Sequence, residues 1–442
     1  MNPRNYFLLL GLNVLLIGIG CTDSPTDTVQ TDEPAGTQSS SPETTIADDS
    51  VVTFEPGPDV QKTVLEELIL AEPGTVFQFE EGVFEFTDGL SLTVDHVTIR
   101  GRGMDKTILS FKKQVAGAEG LYITGSNIGV EDIAIEDTKG NALKSAKADN
   151  IVLRRVRTEW TGGPLTTNGA YGLYPVGSKN VLVDGCVAIG ASDAGIYVGQ
   201  SVDVIVKNCR AEYNVAGIEI ENCHRADVYD CEVTNNTGGV LVFDLPDLPQ
   251  QHGHDVRVFN NRVHGNNTDN FAPKGNIVGT VSAGTGVQVM ANTNVEVFGN
   301  EIRDHGTTNM LLVSYMATGI EIKDPNYYPY TEGIHIHDNK FGRGGDLPDN
   351  RGGELIAAIL GTPIPDIVWD GVVNQEKVVD GKLSMEAGIS IHDNSKDGGE
   401  LTFADLGGLA SLQNPASAKP TRDLAPHRYS LPSVKPVNFT GE

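Results

Sequence analysis

The sequence predicts an all-β fold, a single-stranded right-handed parallel β-helix (a solenoid) with an N-terminal helical cap. Three adjacent segments repeat one pattern: NVLVDGCVAIGASDAGIYVGQS (180–201), DVIVKNCRAEYNVAGIEIENC (203–223) and ADVYDCEVTNNTGGVLVFD (226–244). Cys186, Cys209 and Cys231 stand at the same point of each copy, and the period is about 22 residues. Glycine is abundant (51 residues) and aromatic residues are few (6%), which fits a fold with many tight turns.

Each repeat predicts one coil of three short strands. Alternation of apolar residues, as in DVIV, GIEI and GVLV, points every second side chain inward. A single coil cannot bury this inner face, so the next coil must cover it, and like strands then pair in parallel about 4.8 Å apart. The crossover rule favours right-handed winding.

The first element of this body is predicted to be a short helix near residues 59–71. The stretch DVQKTVLEELILAEPG places apolar residues at helical spacing and stops at Pro73 and Gly74. A helix over the open end of a β-stack would protect an exposed edge. We therefore expect the β-helix domain over residues 51–400 and a C-terminal extension or cap over 401–442.

One inward column is predicted to be structural. It contains Val156, Cys186, Cys209, Cys231, Asn261, Asn300 and Asn339. Asn amides can bond up and down such a stack, and Cys fills the same space with little polar demand. These cysteines are therefore interpreted as buried packing thiols rather than as metal ligands or redox groups.

The N-terminus has the pattern of an export signal. Residues 1–21 combine Arg4, an apolar run and small residues ahead of Cys21, as in a bacterial lipoprotein processing site. Residues 22–50 are rich in Ser, Thr, Pro and acidic residues, and are predicted to be a disordered tether. We expect lipidation at Cys21 and an outer-membrane location facing the periplasm or the cell surface. An ordinary secretory signal is the alternative.

The net charge of −27 excludes some classes of partner. An acidic surface disfavours nucleic acids and anionic lipid headgroups, so the membrane is expected to be contacted through the lipid anchor alone. The same charge is compatible with cation binding.

Candidate binding residues lie on one outward sheet face, bordered by insertions at 243–255, 264–286, 304–319 and 323–333. Loops inserted into a solenoid commonly carry the binding role. The face is predicted to hold Tyr174, Tyr197, Glu219, Leu241, Gln288 and Glu321 in one row, and Glu221, Phe243, Met290 and Lys323 in a second, with Asp244 beside it. Such an aromatic and acidic face fits a groove for an extended polymer. A decorated solvated face is the alternative.

Two weaker metal hypotheses follow from the same region. Glu219 and Glu221 point to one side of a strand, and such oxygens could help to hold Ca²⁺. His252 and His254, with Asp255, could bind a transition metal, although two histidines alone do not specify a site. A flexible polar loop is the alternative for the histidines.

Over residues 150–345 the chain resembles right-handed parallel β-helix proteins, including pectate-lyase-like folds and mannuronan C5-epimerases. More closely, YGLYPVGSKNVLV, GASDAGIYVGQS, NVAGIEIENC and NTGGVLVFDLPDLP resemble a family of bacterial parallel β-helix domain lipoproteins, over most of residues 59–345. The resemblance implies an envelope lipoprotein, with a c-type cytochrome-like protein as a partner encoded nearby. The family has no established catalytic residues to carry over.

The epimerase motif is only partly present. Those enzymes carry YG-F-DPHD, whereas this chain has YGLYPVGS, in which Tyr174, Val176 and Gly177 replace Asp, His and Asp. Val and Gly can neither remove a proton nor stabilise the resulting charge. We therefore expect polysaccharide binding or a lyase-like modification rather than epimerisation by that route. The alternative is a non-catalytic scaffold that binds envelope proteins.

Overall fold

A computed structural model describes residues 50–440, and it confirms a right-handed parallel β-helix of three strands per coil. One outward-facing sheet, called sheet B, collects one strand from each coil. Its strands are Leu90–Leu92, Glu119–Ile123, Asn141–Ala146, Leu173–Val176, Ala194–Gly199, Ala216–Glu221, Gly238–Phe243, Thr285–Met290, Thr308–Val313, Ile367–Trp369 and Phe403–Asp405.

The other two strand positions form a continuous 21-stranded sheet, called sheet A, because Ile128–Glu136 and Asp149–Glu159 each span both positions. Its remaining strands are Val51–Phe54, Val76–Phe79, Gly82–Glu85, Thr98–Arg100, Thr107–Ser110, Lys179–Asp184, Val187–Ile189, Val202–Lys207, Arg210–Glu212, His224–Tyr229, Glu232–Thr234, His254–Phe259, Arg262–His264, Thr293–Phe298, Glu301–Arg303, Glu332–His337, Lys340–Phe341, Ile389–His392 and Ser395–Lys396.

Helices are few and lie outside the coils. The α-helices are Val60–Ile69, Gly352–Leu360 and Leu409–Gln413, and an antiparallel pair joins Val378–Val379 to Lys382–Leu383. Short 3₁₀ turns occur at Ile277–Thr280, Tyr315–Thr318, Gln375–Lys377, Met385–Ala387, Pro415–Ser417 and Ala425–His427. None of the helices within residues 50–440 combines the length and the apolar character that crossing a bilayer requires.

The helix Val60–Ile69 is the predicted N-terminal cap. It buries Val60, Val64 and Leu68 against the first coils, while Ile69 stays exposed. The strand Val51–Phe54 precedes it and pairs in parallel with Val76–Phe79, so the first coil begins ahead of the cap. At the other end, Phe403–Asp405 adds the last strand of sheet B.

The core is the stack of inward side chains. Cys186, Cys209 and Cys231 are buried free thiols, as the column predicts. Below them the asparagine ladder forms: Asn300 Oδ1 accepts from the backbone N–H of Asn261 (2.9 Å), and Asn300 Nδ2 donates to Asn339 Oδ1 (2.9 Å). A buried amide is satisfied here by the coils above and below, so the column fixes the register of the stack.

The end of the chain returns along the outward face of sheet A. We call residues 427–437 the C-terminal strap. The carbonyl oxygen of Tyr429 accepts a hydrogen bond from Ser390 Oγ. The backbone N–H of Val434 donates to Glu296 Oε2 (3.0 Å), and that of Val437 donates to Asp227 Oδ2 (3.1 Å).

Candidate functional site

The predicted row of binding residues forms along the outward face of sheet B. Tyr197 pairs with Glu219 on the next coil, and Glu219 pairs with Leu241. Leu241 pairs with Gln288, and Glu221 of the second row pairs with Phe243. Period-2 alternation thus places these side chains on one face.

The structure differs from the expected open groove. Tyr197 is 3% exposed, Glu219 is 1% exposed and Phe243 is 1% exposed. An apolar cover lies on them and comes from the inserted loops, with Val278, Val281, Phe271, Tyr315 and Tyr327 in its packing. The loops predicted to wall a groove are apolar enough to collapse onto the sheet, so they close it.

The last members of both predicted rows are also different. Glu321 and Lys323 lie in a loop rather than in a strand, and Leu311 and Val313 take their places beside Gln288 and Met290. The segment TNMLLV (308–313) fills the strand position because its inward Met310 and Leu312 supply the core. The stretch GIEI at 319–322 has the same sequence as residues 217–220 but does not form a strand.

Tyr197 and Glu221 form a buried hydrogen-bonded pair. The Tyr197 hydroxyl donates to Glu221 Oε1 at 2.5 Å. The pairing needs Gly199, since a Cβ at that position would lie 2.2 Å from the Tyr197 hydroxyl oxygen and 2.3 Å from its ring. Burial raises the pKa of Glu221 to about 7, although the bond from Tyr197 acts in the opposite direction.

Glu219 has no hydrogen-bond partner for either carboxylate oxygen. Burial, followed by the charges of Asp193 and Glu221, raises its pKa well above the ordinary value. A buried ionised carboxylate without partners is strongly disfavoured. Glu219 therefore holds a proton near neutral pH or requires a cation beside it.

Asp193 belongs to this group although the sequence argument did not single it out. Its Oδ2 accepts from Asn276 Nδ2 (3.0 Å), which ties the 264–286 loop to the sheet, and its Oδ1 has no partner. Burial and the charge of Glu221 raise its pKa to about 7. The available signal was its place in ASDAG, immediately ahead of a strand of sheet B. We call Asp193, Glu219 and Glu221 the acid cluster.

Asp244 lies one coil further along, next to the end of a sheet B strand. Its Oδ1 accepts from the backbone N–H of Gly253 (2.7 Å), and its Oδ2 has no partner. The Tyr327 hydroxyl donates to the Asp244 carbonyl oxygen at 2.5 Å. Burial raises the pKa of the Asp244 carboxyl to about 7.

Gln288 faces a different space. It lines a cavity of about 160 Å³, mostly apolar, together with Met290, Leu311, Ile356 and Leu412. Its Oε1 has no hydrogen-bond partner. The structure thus separates Gln288 from the acid cluster, with Leu241 between it and Glu219.

Sheet B is less deeply covered on the coils before Tyr197, although Tyr171 and Tyr174 still pack against the apolar cover. We call Tyr122, Lys144, Tyr171 and Tyr174 the ledge, and all four are only partly buried. The Lys144 ammonium lies 5.1 Å from the centre of the Tyr174 ring and 5.8 Å from that of Tyr122. The rings of Tyr171 and Tyr174 are 4.4 Å apart.

The ledge runs directly to the acid cluster. The rings of Tyr174 and Tyr197 are 4.9 Å apart, and Tyr171 is 4.6 Å from Tyr197. The pKa of Tyr174 is raised to about 12, mainly by burial and to a lesser extent by the charges of Glu221 and Asp193. Its hydroxyl therefore stays protonated near neutral pH and can donate hydrogen bonds.

The predicted histidine ligands do not converge. His252 is exposed, and its ring lies 6.4 Å from that of Tyr328. His254 Nδ1 lies 2.9 Å from Asp255 Oδ2, and its ring stacks on His224 at 4.5 Å. Within residues 50–440, neither these histidines nor Glu219 and Glu221 belong to a set of three such ligand atoms within 4.8 Å of one another.

The chain is similar to these three solved structures, among others. The mannuronan C-5 epimerase AlgE4 A-module of Azotobacter vinelandii is 15% identical, with 77% of this chain and 92% of that chain covered and a TM-score of 0.49. An alginate lyase from Paenibacillus sp. str. FPU-7 is 11% identical, with 80% and 97% covered and a TM-score of 0.42. A tailspike protein of E. coli bacteriophage HK620 is 10% identical, with 79% and 62% covered and a TM-score of 0.47.

No curated protein matches the sequence. The family described as "right handed beta helix region" matches residues 85–247 and 165–356. These two matches overlap and together span more than half of the chain, and they coincide with coils whose strands pair in parallel throughout. The protein therefore belongs to the right-handed β-helix family.

Proposed function

We propose that the protein binds or modifies a polysaccharide, and that an acidic polymer lies along the ledge. The observation that carries the proposal is the position of the Lys144 ammonium between the partly exposed rings of Tyr122 and Tyr174. Tyrosine rings can stack on sugar faces while their hydroxyls bond ring substituents. The lysine between them adds a positive charge. Its Nζ lies 3.7 Å from Glu119 Oε1, so the carboxylate of a uronic acid would compete with Glu119 for this ammonium.

The acid cluster lies at the end of this ledge beneath the inserted loops, so proton chemistry on a bound polymer requires those loops to open. Carboxyl groups with a pKa near the working pH are effective general acids and bases, and burial raises the pKa of Glu221 and of Asp193 to about 7. In a lyase reaction a base removes the proton at C5 of a uronate. The C4–O bond then breaks, a C4–C5 double bond forms and the leaving oxygen takes a proton.

A divalent cation is part of the proposal. The two bare oxygens of Glu219 are hard ligands of the kind that Ca²⁺ prefers. Within residues 50–440 the acid cluster does not bring three ligand atoms within 4.8 Å of one another, so a cation would have to draw Asp193 and Glu221 toward Glu219. A cation there would also reduce the repulsion between the protein and an acidic polymer. Binding of such a polymer is therefore expected to weaken in EDTA.

A glycan panel tests the binding site. Uronic-acid polymers and neutral polymers are titrated, with and without EDTA, against the wild type and the Lys144→Met and Tyr174→Ala variants. Tyr213→Ala is the matched control, since Tyr213 is an exposed tyrosine that is not on the ledge. We expect both ledge variants to weaken binding at least tenfold and the control to bind as the wild type does. Equal affinity for all four proteins would place the site elsewhere.

The modification is tested separately, by the absorbance of unsaturated uronate released from each polymer. Product formation that Glu221→Gln abolishes would support the lyase reaction. Binding without any product would restrict the function to recognition.

Export and anchoring belong to the same proposal. Cys21, the small residues ahead of it and the 22–50 tether support a lipid-anchored protein of the bacterial envelope. Apart from Ser50, these residues lie outside the part that the structure describes. Metabolic labelling with a fatty acid and membrane fractionation of wild type and Cys21→Ser test this. Unchanged labelling in the variant would overturn the anchor.

The alternative function is a scaffold for an envelope protein, including a c-type cytochrome-like partner. The observation that favours it is the closure of the predicted groove over Tyr197 and Glu219. Failure of every glycan to bind, combined with a stable complex with a co-purified envelope protein, would support the scaffold.

A further inference from the structure

A cluster of histidines lies on the opposite side of the coil, on the outward face of sheet A. Glu296 pairs with His335 on the next coil, and Phe298 pairs with His337. His335 and His337 are two residues apart on one strand, so both side chains point outward. His337 pairs in turn with His392. Glu296 and His335 are buried, at 2% and 4% exposed.

The two nitrogens of His337 both face carboxylate oxygens. His337 Nδ1 lies 2.7 Å from Asp338 Oδ2, and Nε2 lies 3.1 Å from Glu296 Oε1. A carboxylate only accepts hydrogen bonds. A neutral imidazole carries one ring proton, so only one of these two contacts can be a hydrogen bond donated by His337. With the proton on Nδ1, toward Asp338, the lone pair of Nε2 is directed at Glu296 Oε1, a second acceptor.

The protonation of the His335 nitrogens follows from that of His392. His392 Nδ1 lies 2.8 Å from Asp393 Oδ2, so His392 carries its proton there and its Nε2 accepts. His335 Nε2, 2.8 Å from His392 Nε2, must then donate. This leaves His335 Nδ1 unprotonated, 3.7 Å from Glu296 Oε1, and it has no hydrogen-bond partner.

Within residues 50–440, the basic side chains in contact with the Glu296 carboxylate are those of His335 and His337, whose charge depends on protonation. Glu296 Oε2 accepts from the backbone N–H of Val434 in the strap, while Oε1 faces the two histidines. The neighbouring cation of the same row, Arg257, is engaged by Asp227 through two hydrogen bonds of 2.5 and 2.7 Å. Three acceptor atoms, one of them on a buried carboxylate, thus converge on a space that a cation would satisfy.

We propose that Glu296 Oε1, His335 Nδ1 and His337 Nε2 form a site for a divalent transition-metal ion such as Zn²⁺. The three atoms lie within 4.8 Å of one another. Zinc binds His nitrogen at about 2.0–2.1 Å and carboxylate oxygen at about 2.0–2.2 Å, so tetrahedral ligands stand about 3.3 Å apart. The separations of 3.1 and 3.7 Å from Glu296 Oε1 are close to that value.

The surrounding groups have the form that metal sites use. Metal-binding histidines donate their second ring N–H to a carboxylate or another acceptor, which fixes the tautomer. Asp338 is the acceptor for His337, and His392 is the acceptor for His335. Imidazole ligands favour Zn²⁺, Cu²⁺ or Ni²⁺ over Ca²⁺ and Mg²⁺. Three protein ligands leave a fourth position for water or another small ligand.

The competing occupant is a proton. With both nitrogens protonated, His337 would be an imidazolium paired with Glu296 and Asp338, and the site would take no metal. The two occupants are distinguished by binding of the metal itself.

The experiment is titration of the chelator-treated full-length protein with Zn²⁺ by calorimetry, with the metal content after desalting measured by mass spectrometry. We expect one equivalent of zinc in the wild type and no saturable binding in Glu296→Gln and His337→Ala. Asp338→Asn, which keeps all three ligands, is expected to weaken binding about 10- to 100-fold. X-ray absorption spectroscopy at the zinc edge of the wild type should show two imidazole ligands.

His254→Ala is the matched control. His254 lies on the same sheet, stacks on His224 at 4.5 Å and has Asp255 beside its Nδ1, but His224 Nε2 is occupied by the Gln251 carbonyl oxygen (2.9 Å). This variant should bind zinc as the wild type does. Absence of zinc binding in the wild type, or one equivalent in the wild type and in both ligand variants, would overturn the proposal. Far-ultraviolet circular dichroism of each variant confirms that it is folded.

Discussion

The hydroxyl of Tyr197 lies 2.5 Å from Oε1 of Glu221, in a layer from which the inserted loops exclude water. This pair joins the ledge to the acid cluster. It combines a phenol whose pKa burial raises well above its usual range with a carboxyl group whose pKa is raised to about 7. Five predictions concern this layer and the stack beneath it.

Raising the pH is expected to destabilise the protein through the buried carboxyl groups. Burial raises the pKa of Asp193, Glu221 and Asp244 to about 7, above the ordinary values of 3.8 and 4.5. Their contribution to the free energy of unfolding is therefore complete at acidic pH and is lost as pH rises through 7. Thermal unfolding in EDTA between pH 4 and pH 9 should show a melting temperature that falls across this range.

The same measurement, made on a Glu219 variant, tests how much this carboxyl group contributes to the pH dependence of stability. Glu219→Gln removes a buried group that resists ionisation, so the stability of the variant relative to the wild type should increase as pH rises from 5 to 8. The exposed Glu400→Gln serves as the control. A constant difference between the variant and the wild type at both pH values would show that the Glu219 carboxyl is not part of the effect.

Tyr197→Phe tests the hydrogen bond itself. The substitution leaves Glu221 Oε1 buried without a donor, at a cost of about 1–3 kcal/mol in the free energy of unfolding. It should also raise the pKa of Glu221, because the tyrosine bond lowers it. Urea unfolding at neutral pH measures the loss, and Tyr213→Phe, at an exposed tyrosine, should be close to neutral. Equal losses in the two variants would contradict the assigned role.

Asn300→Ala tests the inward ladder. Asn300 Nδ2 donates to the Val258 carbonyl oxygen, and its Oδ1 accepts from the backbone and side-chain N–H groups of Asn261. Removing the amide leaves several buried backbone groups unpaired, at about 3–6 kcal/mol in the free energy of unfolding. Cys209→Ala, in the same column, should cost about 2 kcal/mol or less because it loses mainly packing. The reverse order of the two losses would count against the ladder.

The four cysteines of the described part should resist labelling in the folded protein. Cys186, Cys209, Cys223 and Cys231 are buried free thiols, and burial raises the pKa of Cys223 to about 12. A thiolate is the reactive form, so a thiol reagent should react only after unfolding. In a Cys21→Ser background we expect no fast reaction when folded and four equivalents in guanidinium. Rapid labelling of the folded protein would contradict the inward orientation.

The coil architecture could be predicted because it depends on local periodicity. Inward residues alternate along every strand, and identical positions in successive coils must meet, so Cys209 and Cys231 could be aligned from their spacing alone. The N-terminal helix was equally local, since its apolar stripe and its Pro-Gly stop lie within one short stretch.

The covering of sheet B could not be predicted in this way. Whether Tyr197 and Glu219 face water depends on loops whose contacts reach far along the chain, as Asn276 does to Asp193. Loop sequences carry no period that fixes their direction. The histidine cluster is an intermediate case, because the repeated His-Asp steps at 337–338 and 392–393 were readable, but the partner Glu296 required the register of the coils.

The C-terminal strap has a consequence for how the solenoid unfolds. Coils that contact only their neighbours can fray one after another from an open end, so that stability becomes a sum of local terms. Here Val437 is hydrogen-bonded to Asp227, Val434 to Glu296 and Tyr429 to Ser390. These three partners lie on different coils, each two coils from the next. The last coils cannot peel away without first releasing this segment from coils in the middle of the stack. The C-terminal half should therefore melt as one cooperative unit, and truncation ahead of Tyr429 should convert a single sharp transition into gradual loss from that end.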